Sequence, residues 1–138
     1  MTFEEKGTWI QAVMLVAVAV VYAVVVIGEA QDTPVSDIAY EPVMIWCTGI
    51  SIVLSIIASI VAAIATPDHD KSDLRDKEIH RKGEYFGQHL LAIGAVVALV
   101  LTLWEFDYFW IANALFVGFV LAGVTSSAVK IVAYRRGP

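Results

Sequence analysis

Apolar residues gather into four long runs, roughly residues 9 to 28, 43 to 65, 85 to 104 and 108 to 134. Each has about the length of helix, roughly 20 residues, that crosses a hydrocarbon core of about 30 Å. Between Trp9 and Gly28, and again between Val43 and Ala65, the only ionisable groups are the phenol of Tyr22 and the thiol of Cys47. The pattern predicts an all-α chain: a four-helix transmembrane bundle forming one integral membrane domain over residues 1 to 138. Composition agrees, since 59% of residues are apolar and the mean hydropathy is +0.74, outside the range of water-soluble domains.

The first run differs from a secretory signal. Glu4 and Glu5 precede it beside Lys6, so its leading segment lacks net positive charge, and the run is long for that role. It reads as a retained membrane helix. A lone cysteine, Cys47 inside the second run, leaves neither an internal disulfide nor a CxxC pair.

Charge placement says more than the net charge of -5. All nine basic residues lie in the amino-terminal tail (Lys6), the connection between runs two and three (Lys71, Arg75, Lys77, Arg81, Lys82) or the carboxy-terminal end (Lys130, Arg135, Arg136). The other two connections carry Glu29, Asp32, Asp37 and Glu41, and Glu105 with Asp107. The positive-inside rule then predicts that both termini and the loop 66–84 are cytoplasmic, in the cell membrane. Tyr40, Trp46, Trp104, Phe106, Tyr108, Phe109 and Trp110 gather at the predicted outer boundary, with Trp9 and Tyr134 at the inner one, as interfacial anchors do.

Lipid tails are as apolar as leucine, so membrane helices meet where small residues let backbones approach. Gly83 and Gly87 form a GxxxG continued by Gly94, and Ala114, Gly118, Ala122 and Ser126 form a stripe in the fourth run. Ser51, Ser55, Ser59 and Ala63 do the same in the second, where the hydroxyls are expected to bond back to their own helix. The connection "EFD" is too short for anything but an antiparallel pair of the last two helices. Any stripe left unused inside the bundle is available for homo-oligomer formation.

The window "DKSDLRDKEIHRKGEYFGQHL", residues 70 to 90, concentrates the charge. Pro67 ends the second helix and Ser72 or Asp73 caps a third that projects about two turns from the membrane. Ile79, Gly83, Phe86, Gly87 and Leu90 are expected to share one apolar or small face, and Glu78 and Lys82 to pair one turn apart. A calcium loop fails here, because Asp73 stands where glycine is required and Ile79 where a bidentate glutamate is needed. His69, His80 and His89 do not make a transition-metal site, and a lone His89 cannot hold a haem as a histidine pair would. No membrane-embedded carboxylate offers proton-coupled export, and no catalytic constellation or phosphate-cradling loop is present. Neither enzyme activity nor a cofactor is expected. His89 is the one ionisable side chain inside the third span, expected to reach interfacial water or a neighbouring helix; Asn113 is expected to donate an interhelical hydrogen bond.

The segments "SDLRDKEIHRKGEYFGQHLL" and "WIANALFVGFVLAGVTSSAVKIVAYRRG" resemble a widespread group of small prokaryotic four-span membrane proteins to which no activity is assigned. The likeness covers about the second half of the chain. It rests on Asp73, Arg75, Asp76 and Ile79 in the loop, on Asn113, Ala114 and Leu115, and on Tyr134 to Gly137. Leu74 stands where the group's loop more usually has a second acid. Members are often encoded beside a small helix-turn-helix regulator, so the resemblance implies a regulatory or accessory protein with such a cytoplasmic partner.

The expectation is therefore a non-enzymatic multi-pass protein that docks a partner through Asp73, Arg75, Asp76 and Ile79. The loop's five basic residues and six acidic ones (Asp68, Asp70, Asp73, Asp76, Glu78, Glu84) nearly cancel, which suits a protein contact better than nucleic acid or bulk anionic lipid. The alternative is a small oligomeric transporter or channel whose path is lined by Ser51, Ser55, Ser59, His89 and Asn113.

Overall fold

A computed structural model describes residues 3–65 and 74–136. Asp73, the Ser72 cap and the start of the 66–84 loop lie outside the described residues, as do the side chains of Ser59, Ala63 and Arg75. Four helices follow one another: α1 (Phe3–Ala30), α2 (Tyr40–Ala65), α3 (Leu74–Leu103) and α4 (Tyr108–Arg136). All four are long and apolar enough to cross a membrane. Isoleucine, valine and leucine side chains stand exposed along all of them, an arrangement stable only where hydrocarbon is the solvent. The chain is a multi-pass membrane protein built as a four-helix bundle.

The two described connections obey local backbone chemistry. A single 3-10 turn, Val35–Asp37, follows Pro34, and α2 starts at Tyr40, upstream of Pro42, because the first helical turn tolerates proline. The tight connection between α3 and α4 is a Schellman-type ending. Phe106 N–H donates to the Leu101 carbonyl at 3.0 Å and Glu105 N–H to that of Thr102 at 3.1 Å. This geometry needs a left-handed residue just past the helix, and Glu105, at φ 56°, takes the place glycine usually fills.

Packing is uneven. α3 and α4 form the most extensive seam, α1 packs on α4, and α2 packs chiefly on α1. α4 is thus the central helix, antiparallel to both α1 and α3. The chain starts of α1 and α3 and the end of α4 lie together at what is called here the terminal end; the connections of α1 to α2 and α3 to α4 make the hairpin end. At the hairpin end Tyr22, Val26 and Cys47 form a small core, covered by Val18, Val43, Met44, Tyr40, Phe109 and Phe116. Tyr40 and Phe109 meet edge to face, 5.1 Å between ring centres. These two aromatics join α2 to α4, whereas Trp46, Trp104, Tyr108 and Trp110 face outward.

Candidate functional site at the terminal end

The seam between α3 and α4 is built from the small residues the sequence singled out. A methyl group at Gly94 would come within 2.8 Å of Gly118 Cα, and one at Gly87 within 2.8 Å of the Ala122 carbonyl oxygen. Neither approach is possible for any residue but glycine, so the two backbones touch. Ala114 lies on the same contact, its carbonyl oxygen 3.5 Å from that Gly94 position. The seam continues toward the start of α3 through Gly87 and Gly83, both buried, and one turn further on the same side Ile79 is 3% exposed. Phe86 departs from its expected place. It is 52% exposed because it sits about 100° round the helix from Gly87, and it packs edge to face on Tyr85 instead.

At Gly83 the missing side chain makes room for a lysine. A Cβ there would fall 2.6 Å from Cγ of Lys130 and 2.8 Å from the Ser126 carbonyl oxygen. The Lys130 stem therefore lies across the glycine, and its ammonium donates to Glu84 Oε1 at 2.6 Å. Ser126 Oγ donates to the same oxygen at 3.1 Å, and His80 Nε2 stands 4.0 Å from it. Lys130 is 8% exposed while Glu84 is 60% exposed, so the cation is the buried partner and the carboxylate its route to polar surroundings. Ser127, 1% exposed, lies beside them in sequence as the most deeply buried polar residue described. An ammonium buried in a membrane protein needs such a partner.

A second charged contact ties α1 to the same end of α4. Arg135 Nε lies 3.9 Å from Oε1 of the buried Glu5, and the guanidinium sits 5.4 Å above the Trp9 ring, within range of a cation–π contact. Acids from α1 and α3 thus flank the basic end of α4, whose carbonyl-rich terminus favours cations in any case. The sequence reading used Lys130 and Arg135 only to orient the chain and left Glu84 in the loop. A signal existed: Glu84 and Lys130 lie at similar chain distances on either side of the 104–107 turn, where an antiparallel hairpin must bring them level.

The described residues of the predicted polar path lie on three different helices, Ser51 and Ser55 on α2, His89 on α3 and Asn113 on α4. Ser51 Oγ donates to the Cys47 carbonyl of its own helix at 2.7 Å, and Ser55 is half-buried one turn further on. His89 is exposed, and its Nδ1 is 2.6 Å from the Tyr85 carbonyl oxygen, also on its own helix. A carbonyl only accepts, so Nδ1 carries the hydrogen. Asn113 bridges helices, but as the acceptor rather than the expected donor: Tyr22 O–H donates to its Oδ1 at 2.8 Å, and its own amide donates to the Phe109 carbonyl.

Of the predicted docking residues, Asp76 is half-buried near the start of α3. Ile79 belongs to the seam and is unavailable to a partner. The exposed positions described in this segment are Leu74, Lys77, Glu78, His80, Arg81 and Lys82, with Lys82 3.5 Å from Glu78 as the spacing predicted. No protein-family model matches the chain, and neither a curated protein nor a solved structure does.

Proposed function

We propose that this is a non-enzymatic membrane protein, regulatory or accessory in role, that holds the first turns of α3 out as a rigid charged ridge for a cytoplasmic protein partner. Both termini share that side of the plasma membrane. The observation that carries the reading is anchoring combined with exposure: Lys77, Glu78, Arg81 and Lys82 are exposed, while Ile79, Gly83 and the Glu84 to Lys130 bond fix the same helix to α4. A preformed ridge loses little conformational freedom on binding, and mixed charge rewards a complementary protein surface over a uniformly charged one. A helix-turn-helix regulator fits that description. The solute-path reading has less support, because Ser51 and His89 spend their hydrogen bonds on their own helices.

The test is photo-crosslinking in cells from residue 77. A discrete protein adduct is expected, and it should disappear when Arg81 and Lys82 are changed to glutamate. An adduct indifferent to that reversal, or no adduct, removes the docking reading. Orientation is checked separately by thiol labelling at positions 37 and 77 in a Cys47→Ser background; the two should react from opposite sides of the membrane.

A further inference from the structure

The face of α3 turned away from α4 raises a separate question. Counting about 100° per residue from the buried Gly83 places Arg81, Tyr85, Gln88 and His89 on the far side. All four are exposed. They descend about 12 Å along the helix axis, from the charged ridge into the level where the apolar run begins, and no other helix covers them. Polar groups there need polar partners, since bare hydrocarbon offers none.

The protein supplies little. Glu84 is bound to Lys130 and Ser126, and Glu78 faces Lys82. Among the described residues Arg81 has no carboxylate partner and the Gln88 amide no hydrogen bond. His89 uses Nδ1 on the Tyr85 carbonyl, and its ring lies 4.4 Å from that of Tyr85, which holds the Tyr85 side chain against the helix. Among the described residues the face therefore presents an unpaired guanidinium at the top, with a phenol and an amide below it.

We infer that this face binds the headgroup of one anionic phospholipid. Arg81 takes the phosphodiester through its paired N–H donors, and the Tyr85 hydroxyl and Gln88 amide donate to the glycerol ester carbonyls beneath. The depth order matches that of a lipid, whose phosphate lies above its esters. Charge complementarity selects the anionic class, because among the described residues neither Arg81 nor the exposed Lys77 one turn above it has a carboxylate partner. The inference rests on the membrane spans and not on the protein-docking reading.

The test is native mass spectrometry of the full chain in detergent, titrated with phosphatidylglycerol and, separately, with phosphatidylcholine of the same acyl chains. One phosphatidylglycerol should bind in preference. Arg81→Gln should weaken it about fivefold, the loss expected for one cation at a membrane surface, with phosphatidylcholine unaffected. Lys6→Gln, another exposed cation of the terminal end, should leave the preference intact. Equal losses for R81Q and K6Q would reduce the effect to bulk charge attraction and overturn the site; so would wild-type affinity in R81Q. Should R81Q not fold, the double variant Y85F/Q88L, which keeps every charge, must still lose affinity for phosphatidylglycerol, and an unchanged value overturns the proposal equally.

Discussion

The two hairpins of this molecule solve the same problem with different success. α3 and α4 are joined by a four-residue turn and locked by glycine against glycine, whereas α2 is held to the rest mainly by its first half. From Ile56 onward every described α2 side chain is exposed, and Gly49 has open space where a Cβ would go. Both helices are comparably apolar, so hydrophobicity does not explain the difference. In lipid it supplies no force between helices. What α3 and α4 have is complementary small residues at matching heights and a charged pair that closes the seam; among the described residues of α2 beyond Ser55 no such contact is seen.

That contrast can be broken most directly by filling the seam. Gly94→Leu should destabilise the protein by about 3 kcal/mol, the upper range for overpacking, because Gly118 Cα stands 2.8 Å from the new Cβ and a helix backbone cannot step aside. Gly49→Leu, in the equally apolar α2, should change stability by less than about 0.5 kcal/mol. Unfolding in mixed micelles by a denaturing detergent measures both. Similar losses at the two positions would mean that α2 is packed as tightly as α3, and the comparison would fall.

The charged end of the seam gives the next largest effect. Glu84→Gln removes the anion from a lysine that is 8% exposed, and should cost about 2 kcal/mol, as for other hydrogen bonds to a charged group. Adding Lys130→Met should recover most of the loss, since methionine keeps much of the stem over Gly83 and leaves no buried charge. The same unfolding assay, run as a double-mutant cycle, isolates the coupling. If E84Q alone is neutral, the ammonium is hydrated by other means and the pair does not hold the seam.

A gain is expected at the opposite end of the same hairpin. Glu105 occupies a left-handed position at φ 56°, which a side chain disfavours and glycine does not. Glu105→Gly should raise stability by about 1 kcal/mol, seen as a later unfolding midpoint. An unchanged or earlier midpoint would mean that the carboxylate offsets its own strain.

These residues also show how far the sequence could be read. The helices and the glycine contacts of α3 with α4 were legible because both depend on composition and four-residue spacing, which are local properties. Ser51, Ser55 and Ser59 have the same spacing, and from sequence they look no different from Ala114, Gly118 and Ala122. Only the height and rotation of the neighbouring helix decide which stripe receives a partner along its length. Glu84, Lys130, Arg135 and Glu5 were visible as charges, but their pairing requires the register that the glycine contacts set. Phe86 was misplaced through one step of about 100°, enough to move a large ring from a seam to its flank. Docking through Asp73 and Arg75 depends on a partner, and no helix pattern encodes which one.

The third seam, α1 on α4, lies between these extremes and tests the rule that polar contacts substitute for small residues. α1 is rich in valine and offers little close approach, apart from Leu15, whose methyl fits the space left by Gly123. Across this seam Tyr22 O–H donates to Asn113 Oδ1 at 2.8 Å, beside the ring contact of Tyr22 with Phe116 at 4.4 Å. Tyr22→Phe keeps the ring and deletes the donor. Interhelical hydrogen bonds in membranes average about 0.6 kcal/mol, because the separated helices also find partners. Asn113 retains its bond to the Phe109 carbonyl in the variant, so no amide is wholly stranded. The loss should therefore be small, about 0.6 kcal/mol, and smaller than that of E84Q. A loss matching Gly94→Leu would show that this single hydroxyl, rather than side-chain fit, holds α1 in place, and α1 would then belong with α3 as a specifically locked helix instead of with α2.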